Sequence, residues 1–184
     1  MFSVRVNDKT TIDLLQQQHK EELFALIDAN REHLRQWLLW VDKRRTAQDF
    51  EPIIPIWIQN YADNNGFDAG IRYDGELVGM VGLHYIDWKD KITSIGYFLG
   101  EAHQGKGIVT NCVRTLLQHI FRDLGLNKVV IQCAAENIRS RAVPERLGFR
   151  EEGVARDGQW LYNRYVDLVN YSLLRREWES ESRP

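Results

Sequence analysis

The apolar residues Leu34, Trp37, Leu38 and Val41 fall at i, i+3, i+4 and i+7, a spacing that gathers them into one stripe along a helix. Leu23, Phe24 and Ile27 form a similar stripe upstream, after a short strand-like run, TIDLLQ. A third helical stripe, Ile54, Trp57, Ile58 and Tyr61, follows Thr46 and Asp49, which stand at capping-box spacing; Pro52 and Pro55 start or kink that helix. From residue 67 the period changes to two. Phe67, Ala69, Ile71 and Tyr73 alternate with Asp68, Gly70 and Arg72, and Asp74-Gly75 supplies a type I′ hairpin turn into ELVGMVGLHYI. A second turn, DWKDK, leads to ITSIGYFLG, completing an antiparallel meander of three strands.

The helical period returns from about Lys106 to Leu124, with Val109, Val113, Leu116, Leu117, Ile120 and Phe121 as its apolar face. The run NKVVIQCAA has the unbroken apolar centre of a strand covered on both faces, and behind a crossover helix such a strand lies parallel to a neighbour. Asn137 to Leu147 reads as a further helix, ended by Gly148, and two closing strands, the second YVDLVNYSLL, join across Asp157-Gly158. The pattern is of the mixed α/β (α+β) class: a mostly antiparallel sheet with one parallel step at its centre, flanked by helices.

Composition narrows the partners. With no repeat, low-complexity tract or linker, residues 1–184 are expected to form a single domain with an ample core. A formal net charge of -2 offers no basic stripe for nucleic acid or an anionic membrane, so the expected partner is a small molecule or a defined protein segment. Cys112 and Cys133 are too few for a disulfide framework and read as plain buried thiols. The start, MFSVRVNDKT, has no apolar leader, and no stretch approaches a membrane span, so a soluble cytoplasmic protein is expected. His84, His103 and His119 lack metal-ligand spacing, and no metal is expected. Trp37, Trp40, Trp57 and Trp160 stay open between lining a peptide groove and filling the core.

The most chemically loaded spacing is GEAHQGKGIVT, Gly100 to Thr110. It matches a nucleotide P-loop as far as Lys106, but that motif needs a Ser or Thr hydroxyl for magnesium where this chain has Gly107, and VVIQCAA ends without a clear acidic partner for the ion. A metal-free anion site asks less of the side chains. Gly105 and Gly107 let the backbone approach closely, and the N–H groups opening the next helix suit a pyrophosphate that the helix dipole also favours. Taken alone, the loop is equally a plain strand-to-helix turn. Gly96, inside the preceding strand, marks a bulge or a close backbone approach, and a bulge there would splay the strand from its neighbour.

With these residues in place a family resemblance becomes specific. IGYFLGEAHQGKGI followed by NIRSRAVPERLGF resembles the acetyl-CoA-binding core of the GNAT superfamily of N-acetyltransferases, whose Q/R-x-x-G-x-G/A loop corresponds to Gln104, Gly107 and Val109. Val109 departs from the small residue of that pattern, as do loops of the RimL/RimJ branch, the ribosomal-protein N-terminal acetyltransferases. NREHLRQWLLW, AVPERLGFREEGVARDG and DLVNYSLLRREW resemble the same branch, in particular its YdaF-type members, so the likeness spans most of the chain.

The resemblance implies the GNAT fold, with a splayed central parallel strand pair, and acetyl-CoA as cosubstrate. Tyr97, Phe98 and Leu99 would hold the pantetheine arm through their backbone, and the amides of Gln104, Gly105, Lys106, Gly107, Ile108, Val109 and Thr110 would hold the pyrophosphate. A strand N–H near Phe98 or Leu99 would stabilise the oxyanion. Asn137 would contact the cofactor arm, a role compatible with capping a helix. Lys106 reads equally as a phosphate contact and as a solvated turn lysine. Many family members carry a Tyr seven residues beyond the position of Asn137, where this chain has Pro144; the RimL likeness makes Ser140 the candidate proton donor, against the plainer reading of a first-turn serine bonding backbone.

The base is less clear. The Glu of the RimL branch is matched by Gln159, which takes no proton; Asp157 is the candidate nearby, although Asp-Gly is first a turn signal, and Asp167 is equally a structural residue. An α-amine of pKa about 7.7 to 8.0 is roughly a tenth neutral at about pH 7, whereas deprotonating a lysine there costs about 4 to 5 kcal/mol. A site without an evident base therefore suits an α-amine. The implied function is direct acetyl transfer to a protein N-terminal α-amine, by resemblance that of a ribosomal protein, and relatives lead to the expectation of a homodimer. Acetylation of a polyamine or aminoglycoside, and a non-catalytic acyl-CoA-binding module, are the alternatives.

Overall fold

The computed structural model describes residues 3–181. Its sheet has eight strands: β1 Ser3–Arg5, β2 Thr10–Leu14, β3 Phe67–Tyr73, β4 Glu76–Asp87, β5 Ile92–Leu99, β6 Lys128–Ala134, β7 Arg150–Leu161 and β8 Arg164–Leu174. Their order across the sheet is β1-β2-β3-β4-β5-β6-β8-β7. The expected meander is β3–β4–β5, turned at Asp74 (φ 50°) and Gly75 (φ 88°), both left-handed as a type I′ turn requires. The expected parallel step is the pairing of β5 with β6, reached through helix α4, Ile108–Gln118. The remaining helices are α1 Lys20–Ala29, α2 Arg31–Arg35, α3 Ile54–Ala62, α5 Ile138–Arg146 and α6 Arg175–Glu181.

The two faces of the sheet bury different helices. On one, Val113, Leu116 and Leu117 of α4 and Val143 of α5 pack on Val81, Ile95, Ile131 and Tyr171. On the other, Leu23 and Ile27 of α1, Leu34 of α2 and Ile54 of α3 pack on Leu77 and Met80, with Phe98 at the margin. Period-2 alternation along β4 and β5 thus assigns each residue to one of two helical layers. Among the described residues no helix is long and apolar enough to cross a membrane.

Four local expectations are corrected. The Leu34–Val41 stripe is not one helix: α2 ends at Arg35, Leu38 is extended (φ -125°, ψ 103°), and a 3₁₀ turn covers Leu39–Lys43. The Arg31 guanidinium donates to the carbonyls of Val41 and Arg44 and folds the segment back, so the stripe meets the core without continuous helix. The Thr46–Asp49 box caps a 3₁₀ turn, Ala47–Phe50, and α3 begins only at Ile54, with Pro55 in its first turn. Asp157-Gly158 is not the last hairpin turn but a bulge inside β7, between the Ala155–Leu168 and Gln159–Val166 pairs; the chain reverses after Leu161, where Tyr162 has φ 57°. A left-handed Asp157 (φ 50°) serves a bulge as well as a turn. Finally, β5 pairs regularly through Gly96, and the bulge lies opposite it on β4, between Leu83 and Ile86.

Arg72 of β3 ties the two ends of this scaffold, reaching Glu22 of α1 at 2.7 Å and Asp13 of β2 at 3.0 Å, with the Asp13 side chain only 12% exposed. Hydrogen bonds from Arg72 hold the Glu22 carboxyl below the usual carboxylate range. Folding depresses that pKa, so the pair's contribution is complete above the unfolded Glu value and is lost as pH falls through the folded one. Arg72→Met leaves the sheltered Asp13 without its cation and is expected to cost about 2 to 3 kcal/mol in urea unfolding at about pH 7. The deficit should shrink as Glu22 is protonated.

Candidate active site

β5 and β6 are bonded only from Ile92–Lys128 to Ser94–Val130. Beyond that β5 stays with β4 as far as Leu99–Gly79, and β6 stays with β8 as far as Ala134–Leu168, so the two parallel strands part. A cleft of about 1700 Å³ opens at the parting and runs to the start of α4. Gly100 N–H donates to Val78 O, and alternation along an antiparallel ladder then commits the polar backbone groups of Phe98 and Gly96 to β4. Those of Tyr97 and Leu99 turn toward the parted β6. The Phe98 side chain packs against Trp40 on the helical-cap face instead, with ring centroids 5.7 Å apart.

The far end of the cleft is built for an anion. Gly105 and Gly107 are left-handed (φ 75° and 72°), and a Cβ on Gly105 would meet nothing within 4 Å. The first bond of α4 at this end runs from Asn111 N–H to Gly107 O, so the N–H groups of Ile108, Val109 and Thr110 have no carbonyl ahead of them in the helix. All three residues line the cleft, as do Arg114 and Arg139. The Gln104 backbone is less available, because its N–H donates to Glu101 O. Its side chain bridges His33 Nε2, at 2.7 Å, and Arg139, tying α2 to α5 over the loop. Lys106 does not line the cleft; its ammonium lies 5.6 Å from the centroid of the Tyr73 ring.

The near end is organised by α5. Asn137 is its N-cap, and its side chain accepts from Ser140 N–H at 3.1 Å. Pro144 stands four residues after Ser140 inside the helix and has no N–H to return, so the Ser140 carbonyl is released from the helical ladder. The Tyr97 hydroxyl takes that place, donating to Ser140 O at 2.8 Å. Ser140 Oγ then sits 3.4 Å from Tyr97 Oη and 3.3 Å from Cys133 Sγ. Burial holds the Tyr97 phenol far above its ordinary pKa and pushes the Cys133 thiol up as well, so both are neutral near pH 7. The other cysteine, Cys112, is pushed up to about 12 by burial and stays in the core.

Of the sequence candidates, Tyr97, Phe98, Leu99, Gln104, Gly105, Gly107, Ile108, Val109, Thr110, Asn137 and Ser140 come together on one cleft. Asp157 does not: it is exposed in the β7 bulge, with its N–H bonded to Asp167 Oδ1 at 2.8 Å, while Gln159 reaches the wall. Trp37, Trp40 and Trp57 line the cleft; Trp160 is exposed and meets Tyr165 edge to face. Sequence reasoning missed the Tyr97 hydroxyl and Cys133 as neighbours of Ser140. A proline four residues beyond that serine was the available signal. Among the described residues no cluster of three His, Cys, Asp or Glu could hold a metal.

A family model described as the acetyltransferase (GNAT) domain matches residues 9–150. The chain belongs to the GNAT family. Over 182 residues, 98% of this chain and 100% of the relative, it is 46% identical to the protein named "Putative ribosomal N-acetyltransferase YdaF" of Bacillus subtilis (strain 168). It is 26% identical to the ribosomal-protein-serine acetyltransferase of Escherichia coli (strain K12), across 92% of this chain and 95% of that one. Among solved structures, the microcin C7 self-immunity acetyltransferase MccE, in complex with acetyl-CoA and AMP, superposes with a TM-score of 0.88 at 31% identity, covering 93% of this chain and 95% of that one. RimL bound to coenzyme A shares the fold, with a TM-score of 0.90 at 24% identity over 94% of this chain and 98% of that one. This chain is therefore a GNAT N-acetyltransferase related to the ribosomal-protein acetyltransferases, and its parted β5–β6 pair is the central splay of the GNAT fold.

Proposed function

We propose that the chain transfers the acetyl group of acetyl-CoA directly to the N-terminal α-amine of a protein, a ribosomal protein being the class that the relatives' names support. The observation that carries this is a single cleft joining unpartnered helix-start amides to the hydroxyl of Ser140. Acetyl-CoA fits the residues present: left-handed glycines, the Ile108–Thr110 amides and two arginines suit the pyrophosphate, and the free edge of β5 at Tyr97 and Leu99 suits an amide-bearing arm. It supplies a thioester and thereby a thiol leaving group. Asn137 fixes the first turn of α5, the Leu99 N–H is turned toward the splay for a developing oxyanion, and Ser140 gives a proton to the departing sulfur.

The lining supports an α-amine over a polycation: with Arg114 and Arg139 at the pyrophosphate end, Arg44 and Arg146 still accompany the carboxylates Asp68, Glu101 and Glu136 on the wall. Trp37, Trp40, Trp57 and Phe50 give the acceptor side an apolar lining suited to the first residues of a peptide. Thiol release from acetyl-CoA is expected with peptides beginning in Ser, Ala or Met, and at less than a tenth of that rate with spermine or kanamycin at equal concentration. Preference for either small amine would overturn the acceptor. Tight CoA binding with no turnover on any amine would reduce the chain to a binding module.

A further inference from the structure

His84 stands in the bulge of β4, and the bulge aims it. Between the Leu83–Ile95 and Ile86–Thr93 pairs β4 carries one residue more than β5, and Thr93 Oγ1 pins the irregular turn by donating to Tyr85 O at 2.6 Å. The imidazole thereby lies across Gly96, where any Cβ would collide with its Nε2 and Cε1 atoms. Gly82 pairs with Gly96 on one side and with Asp68 on the other. It too is bare: a Cβ there would collide with Phe67 O and lie 3.1 Å from Asp68 Oδ1. Two glycines in one cross-strand row clear a strip of the sheet, which the His84 ring and the Asp68 carboxylate occupy.

Both groups line the cleft on the face that carries Met80 and Phe98, beneath the helical cap. Ser140, Cys133 and the Tyr97 hydroxyl lie on the opposite face. A proton acceptor and a proton donor thus flank the splay from its two sides, the arrangement that addition to a thioester carbon and departure of its sulfur require. Asp68 is the carboxylate that faces the imidazole from β3; burial pushes its carboxyl up and the charge of His84 draws it down. Opposite the bulge β5 offers Ser94, and the cap contributes His33 and Arg44 to the same cleft.

We propose that His84 is the catalytic base that takes a proton from the incoming ammonium, with Asp68 as the positioning residue that holds the resulting imidazolium. This rests on the acetyltransfer reading above. The ammonium gives one proton to His84, which passes it to solvent. The neutral amine attacks the acetyl carbon; the C–N bond forms and the C–S bond breaks. The leaving sulfur takes the Ser140 hydroxyl proton, and Ser140 regains one from the acylated nitrogen through water. The products are the amide and the free thiol, with one proton released.

The test is kcat from about pH 6 to 9 with saturating acetyl-CoA and a Ser-initiated peptide, for the wild type, His84→Gln and Asp68→Asn, beside CoA affinity. An α-amine is roughly a tenth neutral at about pH 7, so His84→Gln is expected to lose about tenfold there, to approach the wild type near pH 9, and to recover in part with added imidazole. CoA affinity should hold. Asp68→Asn removes the imidazolium's counter-charge and should move the acid limb to lower pH, which loss of packing would not do. Equal rates at pH 7, or one loss factor at every pH, would overturn the assignment of His84 alone. A wild type that releases no thiol with any amine would overturn the acetyltransfer reading, and His84 with it.

Discussion

Ser140→Ala is expected to lower kcat by about 100- to 1000-fold and to leave CoA affinity within about twofold, the signature of a group needed only when the thiol departs. The plainer role, a first-turn serine bonding backbone, predicts a small stability change and full activity. The geometry separates the two. The Ser140 N–H is already capped by Asn137, and Oγ contacts Tyr97 Oη and Cys133 Sγ at 3.4 and 3.3 Å, with no backbone partner among the described residues. Ser140 Oγ donates to Tyr97 Oη across a long contact, so the hydroxyl proton is only weakly held. Tyr97→Phe provides the internal control. It removes the donor to Ser140 O and the oxygen beside Oγ but leaves the serine itself, so its loss should fall between the wild type and Ser140→Ala. Thiol release and CoA titration on the three proteins decide the point; a Ser140→Ala enzyme with unchanged kcat would remove the donor role.

How much of this was legible in the sequence depends on the range of the forces involved. The meander, the crossover helix and the parallel step followed from period-2 and period-3.6 patterns, because burial on a sheet or helix repeats along the chain. The stripe from Leu34 to Val41 identified core residues but misjudged their backbone, since Arg31 folds the segment through contacts ten and thirteen residues away. Asp157-Gly158 was legible as a turn signal and not as a bulge, because pairing with β8 decides between the two. At the site, the loop was visible in local spacing, and Ser140 only through the family resemblance. The row Asp68–Gly82–Gly96, with His84 lying over it, joins three strands and exists only after pairing, so no single segment announced it.

Gly107→Val is expected to weaken CoA binding by about 100-fold, equivalent to about 2.7 kcal/mol. The substitution carries two costs. Gly107 caps α4 at φ 72°, ψ 6°, a left-handed conformation that costs a β-branched residue of the order of 1 to 3 kcal/mol. The protein itself does not obstruct the new side chain, for the nearest atom to a Cβ there is Asn111 Nδ2 at 3.9 Å. Steric loss in binding therefore has to come from the ligand, which approaches the loop where the Ile108, Val109 and Thr110 amides are open. Gly107→Ala divides the two costs: it keeps most of the backbone penalty with little bulk, so lowered thermal stability beside nearly unchanged affinity would assign the binding loss of Gly107→Val to crowding. Thermal unfolding without CoA measures the backbone penalty, and isothermal titration with CoA measures the crowding of the ligand. Unaltered affinity in Gly107→Val would mean that the pyrophosphate lies elsewhere. The glycine that denies this loop the magnesium-binding hydroxyl of a P-loop is the same one that would let its backbone approach the proposed pyrophosphate, so a single position separates the two chemistries.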